Sequence, residues 1–136
     1  MSLVLISSGE FTRHETPPGH PERVERAAVM AAVAARWRDR GGEVVEPRPA
    51  TLEQLARVHS TDYIERLAAT AGRAVALDPD TYTSPASYET ALLAAGAAVG
   101  AVDLVLAQTG RTAIAMVRPP GHHAEPDRAM GFCLFN

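Results

Sequence analysis

Lysine is absent from this 136-residue chain, and cysteine occurs once. All thirteen basic residues are therefore arginine, and sixteen acidic residues bring the formal net charge to −3. The arginines are scattered among acids, so no basic stripe exists for a nucleic-acid backbone, and nucleic acid is not expected as a partner. A lone Cys133 permits neither an intrachain disulfide nor a thiolate zinc cluster. It reads as a small buried apolar residue, and nothing near it in sequence marks it as a nucleophile. There is no glycine-rich phosphate loop, no internal repeat and no low-complexity linker. Residues 3–6 are too short for the apolar part of a secretion signal and have no basic stretch before them, which makes the cytoplasm the expected location. The one long apolar stretch, residues 91–107, contains Gly96 and Gly100 at a small-xxx-small spacing. It is Ala-rich, shorter than a membrane span and interrupted by Asp103, so a buried helix is expected and a membrane is not.

What remains is the composition of a folded soluble domain: 46% apolar and 21% charged residues, in a length suited to one domain with a modest core. Residues 3–6 form an uninterrupted apolar run, the mark of a strand covered on both faces. Pro21 and Glu22 suit a first helical turn, with Gly41-Gly42 as its stop, so a helix is expected over 21–40. Its buried face is read as Val24, Ala27, Ala28, Ala31 and Ala35, widened by Val29, Val33 and Trp37. A short strand is expected near 43–46. Thr51-Leu-Glu-Gln54 is a capping-box pattern opening a short helix. Ser60 starts another, which ends at Gly72, and His59 between them reads as a turn or cap residue. Residues 72–83 read as a loop. Ser84 and Pro85 read as the cap and first position of a long helix to about residue 107. Residues 112–117 form the next strand. Helices alternating with apolar strands argue for an α/β fold with a parallel sheet.

The chain then ends on Arg118-Pro-Pro-Gly-His-His-Ala124 and Gly131-Phe-Cys-Leu-Phe-Asn136. Adjacent side chains diverge on a helix and point to opposite faces of a strand, so two neighbouring imidazoles share one site only from irregular backbone. Pro119, Pro120 and Gly121 supply such backbone. Its place directly after a strand is where open α/β enzymes present their chemistry.

These two blocks resemble the signature of the zinc-dependent deacetylases: histone deacetylases, acetylpolyamine amidohydrolases and acetoin-utilisation proteins. The resemblance implies an arginase/deacetylase-like open, mostly parallel sheet with helices on both faces, of which residues 1–136 would be a single partial domain, the N-terminal part. It implies hydrolysis of an acetyl-amine amide such as acetyl-lysine or an acetylpolyamine, with His122 and His123 as the catalytic proton-transfer pair beside a zinc ion. Gly131 and Phe132 would line the substrate tunnel, Asp80 would be a rim carboxylate for the substrate, and Arg23 would lie near an internal channel. His14, His20 and the residues around His59 look structural by the same likeness. The family's metal ligands, an Asp-x-His pair and a later Asp, fall downstream of the second block. No Asp-x-His occurs in this chain, so the expectation is a truncated chain with no metal ligands of its own and no activity alone. The alternative is a non-catalytic module that pairs with another chain, or with itself, through an exposed sheet edge. A protein with metal held by His14, His20, His122 and His123 is a further and weaker reading.

Overall fold

The computed structural model describes residues 2–136. Strand β1 (Ser2–Ile6) is central, with Val4, Leu5 and Ile6 buried. It pairs in parallel with β2 (Glu43–Val45) on one side and β5 (Arg111–Ala115) on the other, in the order β2-β1-β5. Parallel neighbours require crossovers, and helices supply them. Helix α1 (Glu25–Asp39) links β1 to β2. The longer return to β5 carries α2 (Leu52–Ala56), α3 (Thr61–Ala68), a hairpin of β3 (Val75–Asp78) and β4 (Thr81–Thr83), and α4 (Ser87–Ala107). The α/β class and the parallel sheet are as expected from sequence.

Two helix starts are as the sequence indicates. Thr51 and Gln54 form the reciprocal capping box, and the Ser60 hydroxyl accepts from the Tyr63 amide. Four details differ. Residues 72–83 are not a plain loop: β3 and β4 pair antiparallel across the Asp78–Asp80 turn. The turn residues were legible, but strands of three and four residues are too short for a period-2 pattern to register. Helix α1 begins at Glu25, because Glu22 turns inward to an arginine instead of serving a first turn. Its buried residues are Ala27 and Ala34, with Met30, Val33 and Trp37 half-buried, while Ala28, Ala31 and Ala35 are exposed. Alanine adds too little area to either face for sequence to choose between them. Ser84 does not cap α4. Its hydroxyl accepts from the Glu15 amide and donates to the Arg13 carbonyl, tying the hairpin end to the loop after β1.

Helix α4 divides in two. Its first half buries Ser87, Thr90, Ala91, Ala94, Gly96 and Ala97. Its second half exposes Val102, Val105 and Leu106. By length and composition it could cross a membrane, yet its buried half is part of the core. Ala91 joins Leu55 of α2 and Tyr63, Ile64 and Leu67 of α3 in one cluster with Leu134 and Phe135. The terminal motif is thus packed into the core rather than laid over it. A second cluster, Phe11, Ala27 and Ala94, joins the turn after β1 to α1 and α4. Thr112 and Ile114, alternate residues of β5, remain open to solvent.

Candidate active site

Val117 and Arg118 leave the end of β5 and lead through a cis Arg118–Pro119 bond into the tandem-histidine loop. Gly121 is required by contact: a Cβ there would run into the Phe135 carbonyl oxygen. His122 and His123 follow with ring centroids 4.3 Å apart and planes inclined by 49°. Both are exposed, and among the described residues no hydrogen bond or ion pair engages either ring. They share a cavity of about 350 Å³ with Gly131, Phe132, Pro120 and the Glu22–Arg118 pair.

The far wall is a strained turn. Gly131 has φ +58° and Phe132 φ +70°, an uncommon conformation for a residue with a Cβ. A side chain on Gly131 would collide with the His123 ring. Thr81 of β4 holds the strained residue by accepting from the Phe132 amide at 3.1 Å. Cys133 joins the two loops, its sulfur receiving the His123 amide at 3.4 Å and donating to the Gly131 carbonyl at 3.2 Å. Burial pushes the Cys133 thiol above its ordinary pKa. It therefore stays protonated, which agrees with the packing role read from sequence.

Beneath the cavity floor lies the group that sequence reading missed. Arg118 is 2% exposed. Its Nε meets both Glu22 carboxylate oxygens at 3.1 Å, and Nη1 donates to the Phe11 and His14 carbonyls at 2.6 Å each. Nη2 has no partner. A buried ion pair of this kind is costly to desolvate and still more costly to leave half-made. The only sequence sign was a charged residue between an apolar strand and two prolines.

Each of the remaining histidines has a hydrogen-bond partner for its ring. His14 is buried 2.7 Å from Ser87 Oγ. Burial first, then the positive charges of Arg118 and His20, push its pKa down to about 3. His59, read as a turn residue, is also buried: Nδ1 donates to the Glu125 carbonyl at 3.0 Å and Nε2 accepts from the Asn136 amide at 2.9 Å. Tyr63 beside it donates to the Leu134 carbonyl. His20 is half-buried against Phe132. Asp80 is exposed at the hairpin turn, with its carbonyl 2.7 Å from His20 Nε2. Arg23, expected near an internal channel, lies on the surface, 64% exposed and 4.0 Å from Glu25. The inward-facing arginine of this chain is Arg118.

The model of the histone deacetylase domain matches residues 18–136. The chain belongs to the histone deacetylase family. Its relatives include a probable deacetylase of Archaeoglobus fulgidus, 38% identical over 97% of this chain and 38% of that protein. The human polyamine deacetylase HDAC10 is 37% identical over 100% of this chain and 22% of its own length. The crystal structure of the HDA15 HD domain superposes with a TM-score of 0.83 at 31% identity, over 99% of this chain and 40% of that one. The chain therefore spans well under half the length of these relatives.

The family is generally zinc-dependent. Among the described residues no three His, Cys, Asp or Glu side chains are grouped to hold a metal. The donor set of these residues does not fit a zinc site.

Proposed function

We propose that this chain carries the proton-transfer part of the active site of a zinc-dependent deacetylase acting on an acetylated amine, either acetyl-lysine or an acetylpolyamine. The observation that carries this reading is the exposed His122–His123 pair, with ring nitrogens unspent, facing Phe132 across one cavity. Amide hydrolysis needs a base to take a proton from the attacking water and an acid to protonate the departing amine. Two adjacent imidazoles with free nitrogens meet both needs. Phe132 and Gly131 offer a narrow apolar wall suited to an aliphatic stem, and Asp80 offers a carboxylate at the rim for a substrate N–H. Zinc dependence belongs to the proposal, but no step is assigned to the metal here, because the residues present do not form its site. The chain alone is proposed to be inactive and, in the cell, cytoplasmic.

A second reading is a non-catalytic module joined to another chain, or to a copy of itself, through its sheet edge. It is favoured by β5, paired on one side only, with Ile114 48% exposed beside the exposed end of α4. One experiment separates the two: zinc content and turnover of a fluorogenic acetyl-lysine peptide, measured on this chain and on the full-length protein. Zinc and turnover in the full-length protein alone support the first reading. Stoichiometric zinc and chelator-sensitive turnover in the 136-residue chain would overturn the inactive-alone expectation. Absence of both from the full-length protein would favour the module.

A further inference from the structure

His20 links its own loop to the β3–β4 hairpin and to Phe132, which lines the cavity. Its ring packs edge-on against Phe132, with centroids 4.7 Å apart at 71°, and against Tyr82, 5.6 Å away at 88°. Nε2 donates to the Asp80 carbonyl, which can only accept, at 2.7 Å. Nδ1 lies against the Glu22 backbone, 3.1 Å from its amide nitrogen and 3.2 Å from its carbonyl oxygen. The ring is thus fixed in orientation. On one side it grips the turn that presents Asp80, and on the other it braces Phe132, whose positive φ already makes it a strained residue. Thr81, next to Asp80, ties the same two segments through the Phe132 amide. Hairpin turn and cavity wall are consequently fastened at two points, one through backbone and one through an aromatic face.

We infer that His20 is a positioning residue for substrate recognition, holding the Phe132 wall and the Asp80 rim at the separation that an extended aliphatic amide requires. The inference rests on the deacetylase reading proposed above and deepens it. His20 is too firmly committed to transfer protons itself, so its contribution falls on binding. A side chain that merely stabilised the fold would lower the melting temperature without separating KM from kcat, whereas a positioning residue separates them.

The test uses the full-length, zinc-loaded protein and an acetyl-lysine peptide. His20→Ala is expected to raise KM roughly tenfold, a shift on the scale of a few lost weak contacts, with kcat within about twofold. His20→Gln keeps an N–H within reach of the Asp80 carbonyl and should recover part of the loss. An unchanged KM in His20→Ala would overturn the inference, as would kcat falling in parallel with a lost melting transition. A wild type without any turnover would remove the deacetylase reading only. The inference would then be decided by NMR: the Phe132 ring resonances should move in His20→Ala, and their staying in place would overturn it.

Discussion

Three of the five histidines and the tandem pair differ in how their ring nitrogens are used. His14, His20 and His59 spend theirs on a serine hydroxyl or on backbone groups, and sit buried or half-buried among packed segments. His122 and His123 spend none among the described residues and face an open cavity. One imidazole chemistry therefore serves two ends. Hydrogen-bonded among packed segments it is a clamp; left unbonded beside a cavity it can accept and release protons. The clamps also hold the pair. His59 ties the Glu125 carbonyl to the Asn136 amide, closing the two ends of the terminal motif, while His20 braces the opposite wall.

The sharpest way to break this contrast is to remove the free histidines. His122→Ala or His123→Ala, made in an active, zinc-loaded protein that contains this chain, should lower turnover by about 10²–10⁴-fold, the usual range for a lost acid or base. The melting temperature should stay near that of the wild type, because both residues are exposed and neither ring is hydrogen-bonded among the described residues. Near-normal turnover in both variants would place the chemistry elsewhere. The next effect is on stability. Arg118→Ala leaves buried Glu22 with only the exposed Arg26, 4.0 Å away, as its cation, and urea unfolding should show a loss of about 3–5 kcal/mol. A loss below about 1 kcal/mol, the scale of an exposed pair, would mean that water reaches Glu22. The smallest effect belongs to His14 and sharpens the clamp side of the comparison. Its pKa is depressed from 6.5 to about 3 in the folded chain. Below 6.5 the unfolded chain takes up a proton that the folded chain refuses. The stabilisation is therefore complete above pH 6.5 and disappears as pH falls toward 3, an upper bound on the order of a few kcal/mol. Unfolding free energies of wild type and His14→Gln, measured between pH 7 and 4, should converge as the pH falls. Parallel curves would show that His14 is protonated in the fold.

Much of this arrangement could be read along the chain, and the failures share one cause. Local signals were reliable: the apolar run of β1, the Thr51–Gln54 box, the Ser60 cap, and the Pro-Pro-Gly turn that forces two histidines to share a site. Readings failed where a residue had a local use and a distant partner competed for it. Glu22 fits a helix first turn, but Arg118, remote in sequence, takes it. Ser84 fits a helix cap, but the Glu15 amide engages its hydroxyl. His59 fits a turn, but Glu125 and Asn136 occupy its ring. A buried charge or a buried ring gains more from a full set of partners than an exposed cap gains from one.

The sequence by itself determined the α/β alternation, the position of the tandem histidines and the family signature that surrounds them, because strand burial, turn stereochemistry and side-chain order are properties of neighbouring residues. Only the tertiary structure decided which histidines are clamps and which are free, which arginine faces inward, and that the hairpin turn at Asp80 is fastened to Phe132. Those outcomes depend on hydrogen-bond partners up to 107 residues apart in the chain, and such partners become neighbours only when the parallel sheet brings the turn after β1 beside the end of β5.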